Sequence, residues 1–237
     1  VVTDRDVAPG EVAGHLAQVR ARIRAAEERF GRTPGSVGLL AVSKLQGADK
    51  IRAAQAAGQT AFGESYVQEA IGKMEELGDL SLEWHFIGRI QSNKTQWIAE
   101  RFAWVHSLCD LRHAGRLSEQ RPDRLPPLKV CCQVNLSGET SKAGLPPDAV
   151  GDFVADCAAL PRLSLAGLMT LPAPAADLET QRGPFRKLRL LRDRLASPSC
   201  PLRVLSMGMS ADLEGAIAEG ATLVRVGTAV FGPRLPG

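Results

Sequence analysis

The chain has 237 residues, a net charge of +3 and no block of like charges, so its electrostatics propose neither nucleic acid nor an anionic membrane as partner. Its apolar runs are too short to span a bilayer, and the first ten residues, with Asp4, Arg5 and Asp6, have no apolar stretch of the kind a signal peptide needs. Five cysteines (Cys109, Cys131, Cys132, Cys157 and Cys200) are odd in number and irregular in spacing, so no disulfide framework or zinc site follows, and a reducing cytoplasm is the expected compartment.

Residues 11–30 carry Val12, Leu16, Val19, Ile23 and Ala26 at helical spacing, with arginines and glutamates between them, which predicts an amphipathic helix. Residues 37–43 then form an unbroken apolar run that ends on Ser43-Lys44. A run with no polar alternation predicts a strand buried on both faces, as in a parallel sheet. From there strands and helices alternate. Strands are predicted over 60–63, 83–87, 103–107, 128–136, 163–169, 203–207 and 222–226. Helices are predicted over 48–57, 65–77, 92–101, 111–119, 147–160, 178–195 and 211–219. Eight such units in this length predict an α/β fold, a (β/α)8 TIM barrel with one extra N-terminal helix, as a single domain over residues 1–237. A doubly wound open sheet is the alternative, but no G-x-G-x-x-G follows the first strand.

In a barrel the chemistry lies at the carboxyl ends of the strands. Seven lysines are present. Lys50, Lys73, Lys94 and Lys187 fall on predicted helices, and Lys129 opens a strand at the opposite face of the barrel. Lys44 alone closes a strand, with Lys142 in the fifth loop a weaker second candidate. An amine held against an apolar wall can act as a nucleophile toward an aldehyde. Glycines and hydroxyls cluster after the last two strands, in Ser206-Met207-Gly208-Met209-Ser210 and Gly227-Thr228, where barrels commonly hold a phosphate. Ser210 could instead merely cap the following helix. Arg225 lies in an otherwise apolar last strand and must find an acceptor, either a core carboxylate or a ligand atom at the barrel mouth. A reactive amine, a phosphate cradle and a buried arginine together suit pyridoxal phosphate.

These residues also carry a resemblance. The stretches Ala41-Val42-Ser43-Lys44, Phe62-Gly63-Glu64-Ser65-Tyr66-Val67-Gln68-Glu69, Trp84-His85-Phe86-Ile87-Gly88, Gln91-Ser92-Asn93-Lys94, Gln133-Val134-Asn135, Gly167-Leu168-Met169-Thr170, Leu205-Ser206-Met207-Gly208-Met209-Ser210 and Val224-Arg225-Val226-Gly227-Thr228 resemble the pyridoxal phosphate homeostasis proteins. These are single-domain relatives of the alanine racemase barrel. The resemblance covers nearly the whole chain. It implies that Lys44 carries the cofactor as an imine, that Ser206, Gly227 and Thr228 hold its phosphate, and that Arg225 meets its ring nitrogen. Two departures stand out. Ser65 replaces the family's usual asparagine, and Leu45-Gln46-Gly47 replaces its usual threonine, lysine and proline.

The function expected is binding, buffering and delivery of pyridoxal phosphate rather than catalysis, with apo forms of pyridoxal-phosphate-dependent enzymes as possible partners and a monomer as the expected state. An amino-acid racemase of the alanine racemase type is the alternative, and a barrel binding some other phosphate ligand is a third. Racemisation needs a base on each face of the cofactor. In the similar racemases the second is a tyrosine brought by another subunit's extra domain, for which this chain leaves no residues. Its only tyrosine is Tyr66.

Overall fold

The computed structural model describes residues 7–137 and 143–233. Lys142, the second lysine candidate, falls outside these residues. The first element is helix α1 (Pro9–Arg29), which starts two residues earlier than its apolar spacing predicts. Pro9 opens it, because a fixed φ and a missing N–H cost nothing in a first helical turn. Its stripe of Val12, Leu16, Val19, Ile23 and Ala26 is buried.

Strands β1 (Gly38–Val42), β2 (Ala61–Glu64), β3 (Glu83–Phe86), β4 (Trp104–Leu108), β5 (Leu128–Gln133), β6 (Leu163–Met169), β7 (Val204–Ser206) and β8 (Leu223–Val226) follow, separated by helices. These are α2 (Ala48–Ala56), α3 (Val67–Glu76), α4 (Thr95–Arg101), α5 (Leu111–Gln120), α6 (Val150–Ala158), α7 (Leu178–Leu195) and α8 (Leu213–Ala218), with a short α9 (Thr228–Phe231) after the last strand. The strands pair in parallel in chain order and close into a barrel, β1 meeting β8 with Ala41 opposite Val226. This register puts Lys44 and Thr228 just past the ends of neighbouring strands.

Some differences from expectation have local reasons. β5 stops at Gln133, where the Gln133 carbonyl accepts from the Leu145 amide and the Asn135 amide donates to the Leu145 carbonyl, while the Val134 amide still donates to Met169 of β6. α8 begins at Leu213 because residues 210–212 make a turn, closed by the Asp212 carboxylate accepting from the Met209 amide at 2.5 Å. The four-residue α9 was not legible, since four residues are too few to show a helical period.

Candidate functional site

A cavity of about 280 Å³ opens at the carboxyl ends of the strands. Its apolar wall is Val42, Ile87, Met169 and Leu171, and its polar lining is Lys44, Ser65, Ser210, Arg225, Gly227 and Thr228, with Met209 and Ala211 at the loop after β7. Lys44 is the one lysine that lines it among the described residues. The others are engaged elsewhere or distant. Lys50 donates to Gln46 and to the Phe231 carbonyl, Lys73 sits in a buried ion pair, and Lys129 lies over the Trp104 ring at the opposite barrel face.

The backbone around Lys44 is held from below. Glu64 is fully buried at the end of β2 and accepts from the Ser43 hydroxyl at 2.6 Å and from Lys73 Nζ at 2.8 Å. Lys73 also donates to the Ser43 carbonyl at 2.7 Å and to Glu69 at 2.5 Å, and Glu69 accepts from the Leu45 amide at 2.6 Å. The two residues flanking Lys44 are therefore fixed by one cluster of two carboxylates and an ammonium. Burial pushes the Glu64 carboxyl above its ordinary pKa, partly offset by Lys73 and Ser43. Leu45 is in the left-handed region at φ 59°, a costly conformation for a side-chain residue, and one that the Glu69 bond helps to hold. The helical placement of Lys73 hid this cluster from sequence reading; nothing in residue type or spacing marks it as buried.

Arg225 projects from β8 into the barrel interior and is 4% exposed. Its Nη1 donates to the Ser206 carbonyl at 2.6 Å and to the Ser206 hydroxyl at 2.8 Å, and its Nη2 donates to the Thr170 carbonyl at 2.9 Å. A guanidinium has five N–H groups, of which these bonds use three, and Arg225 also lines the cavity. Burial lowers its pKa to about 10, which leaves it a cation at neutral pH. Its protein acceptors are carbonyls and a hydroxyl rather than the core carboxylate that a purely structural arginine would require; Asp212 acts on it only through its field.

The loops after β7 and β8 form the other wall. Gly208 sits at φ 94°, where a side chain would be strained and would run into Ala216. Gly227 packs so tightly that a Cβ there would lie 3.1 Å from the Val42 carbonyl oxygen. Thr228 opens α9, whose first amides have no acceptor within the helix. α1 buttresses this wall, since Arg22 donates to the Ser210 carbonyl at 3.2 Å and pairs with Glu214 at 2.8 Å.

One expected site residue lies deeper than the cavity lining. Ser206 is fully buried beneath the cavity and does not line it; its hydroxyl is committed to Arg225 and to His106 Nδ1 at 2.8 Å. Ser206 lies within β7, so the pleat aims it into the core, whereas Ser210 in the following turn reaches the cavity wall. Ser210 does not cap α8; Asp212 holds that position. Tyr66 does not line this cavity and is 53% exposed.

Behind Arg225, two buried histidines continue the polar chain. His106 Nε2 lies 2.9 Å from His85 Nδ1, and His85 Nε2 lies 2.9 Å from Glu83. Burial holds both imidazoles below the ordinary value of 6.5, His106 most strongly. His85 faces Glu83 and Lys129, and His106 faces His85 and Arg225. Below 6.5 the unfolded chain therefore binds protons that the folded chain does not. Stability should be lost as pH falls from that point toward the folded values, with a slope approaching about 1.4 kcal/mol per pH unit for each histidine. Urea midpoints measured from about pH 7 to about pH 5 should show this, and His106→Asn should flatten the slope. An unchanged slope would mean that His106 titrates in the folded state.

Residues 14–235 match the family described as alanine racemase, N-terminal domain. The pyridoxal phosphate homeostasis protein of Pseudomonas aeruginosa is 55% identical over 94% of this chain and 96% of its own length, and that of Escherichia coli K12 is 48% identical over 94% and 97%. This chain belongs to the pyridoxal phosphate homeostasis protein family. A solved structure of PipY from Synechococcus elongatus with PLP bound superposes with a TM-score of 0.81 at 38% identity, over 93% of this chain and all of that one. Alanine racemase from E. faecalis shares the fold, at 18% identity and a TM-score of 0.71. No helix of the described residues is long and apolar enough to cross a membrane, and all five cysteines are free thiols.

Proposed function

We propose that this protein holds pyridoxal 5′-phosphate as an imine on Lys44 and buffers and delivers it without turning over amino acids. The observation that carries the reading is the convergence of Lys44, Arg225 and the Gly227–Thr228 turn on one cavity. The residues present fit the cofactor. The cavity is of small-ligand size, its apolar wall suits the ring, and the close approach of Gly227 and the open amides of α9 suit an anion. A remaining N–H group of Arg225 suits the ring nitrogen, and a cation there keeps that nitrogen unprotonated, which weakens the ring as an electron sink. For the phosphate, the reading keeps Gly227 and Thr228 and replaces Ser206 by Ser210.

The carrier reading is favoured over a racemase by the lining itself. Among the described residues Lys44 is the one amine in the lining, and Tyr66 is turned out to solvent. A cytoplasmic monomer that hands the cofactor to apo enzymes completes the reading. A hydrogen bond to a charged group is worth about 1.5–3 kcal/mol, or roughly ten- to a hundred-fold in affinity. Thr228→Val and Ser210→Ala should therefore weaken pyridoxal phosphate by such a factor and unphosphorylated pyridoxal hardly at all, as measured by fluorescence titration. Equal losses for both ligands would place the phosphate elsewhere.

A further inference from the structure

The hydrogen bonds behind Arg225 can be assigned so that every donor meets an acceptor. A guanidinium cannot accept, so the Ser206 oxygen must accept from Nη1, and the Ser206 proton must go elsewhere. Its other partner is His106 Nδ1, at 2.8 Å, so that nitrogen is the acceptor. A neutral His106 then carries its proton on Nε2 and donates to His85 Nδ1 at 2.9 Å. His85 in turn carries its proton on Nε2 and donates to the Glu83 carboxylate at 2.9 Å. Every proton points from the cation at the cavity toward the carboxylate on the far side of the barrel, and each ring nitrogen is used once. Reversing the chain would leave the buried Ser206 hydroxyl proton without an acceptor among these residues, which is costly where His106 and Ser206 are fully buried. Trp104 stacks on His85 at 5.3 Å and 6°, which fixes the ring plane.

We propose that His106, oriented by His85, is a positioning residue for the cofactor: by accepting the Ser206 proton it fixes Arg225 so that a free N–H group meets the ring nitrogen of pyridoxal phosphate. The inference rests on the cofactor reading above and extends it to residues that never touch the ligand. His106 acts through Arg225 alone, so its effect must depend on the ring nitrogen. That separates it from a residue that merely supports the barrel.

The test is equilibrium binding of pyridoxal phosphate and of its 1-deaza analogue, in which the ring nitrogen is replaced by carbon, with visible spectra recorded in parallel. His106→Leu removes the acceptor, and His106→Asn keeps one near the position of Nδ1. His106→Leu should bind pyridoxal phosphate about tenfold more weakly, the effect of misplacing one charge-assisted hydrogen bond. It should shift the visible band and bind the deaza analogue as the unmodified protein does. His106→Asn should recover most of the loss. Should His106→Leu fail to fold, Ser206→Ala breaks the same chain and should show the same split between the two ligands. Equal weakening of both ligands, or unchanged binding of pyridoxal phosphate by folded His106→Leu or by Ser206→Ala, would overturn the proposal. Failure of the unmodified protein to bind pyridoxal phosphate would overturn the cofactor reading as well, and is distinguishable because it needs no variant.

Discussion

Borohydride reduction of the pyridoxal-phosphate-loaded protein is expected to fix the cofactor on the peptide containing Lys44, and Lys44→Ala should lower that label to background. The reason is geometric before it is chemical. An imine needs an amine that reaches the cavity, and Lys44 is the lysine in its lining among the described residues. Lys73 cannot substitute without breaking its bonds to Glu64, Glu69 and Ser43, and Lys50 is buried against Gln46 and the Phe231 carbonyl. Lys129 is on the wrong face, over Trp104 and beside Glu83. Peptide mapping by mass spectrometry reads the result directly. Label chiefly on Lys142 in the unmodified protein would overturn the assignment.

The largest loss of stability is expected from Lys73→Met. Its ammonium is the counter-charge for Glu64, which is fully buried and has one oxygen with no hydrogen-bond partner. Removing one member of a buried ion pair strands the other and costs about 3–5 kcal/mol. For a domain of this size each kcal/mol lowers the melting temperature by about 2–4 °C, so a fall of roughly 6–20 °C should follow. The same variant also releases the Ser43 carbonyl and loosens Glu69, which holds the left-handed turn at Leu45, so imine formation at Lys44 should slow. Glu64→Gln in the Lys73→Met background removes the stranded charge and should recover part of the stability. A melting temperature for Lys73→Met within about 2 °C of the unmodified protein would show the pair to be energetically neutral.

The barrel was legible because its signal is repeated: apolar strands too uniform to be half-exposed, each followed by a helical pattern. Lys44 was legible for a related reason, since a strand that ends on a lysine places that lysine at the face where barrels bind ligands. Arg225 stood out as a charge in an apolar strand. What was hidden depended on pleat and depth. Ser206 and Ser210 lie four residues apart in one loop motif, and sequence reading does not tell which faces the cavity; the strand end at Ser206 decides it. Lys73, Glu64 and Glu69 looked like ordinary polar positions, and His85 and His106 like strand residues of no special pattern. Their pairings cross between elements 21 residues or more apart in the cases of His85 with His106 and Ser43 with Glu64. Spacing rules reach only within one helix or strand.

The central claim is that the site holds pyridoxal phosphate without using it, and it is tested most directly by offering the loaded protein both fates at once. The protein is incubated with L-alanine in deuterated water and, in parallel, with an apo enzyme that requires pyridoxal phosphate. Each general acid–base group typically contributes about 10²–10⁴-fold, so a cavity with Lys44 as its base and no partner on the opposite face among the described residues should exchange the α-proton very slowly. The account predicts little deuterium at the α-carbon and measurable activation of the apo enzyme. Deuterium exchange with racemisation at about 1 s⁻¹ or faster, the range of ordinary enzymes, would contradict it.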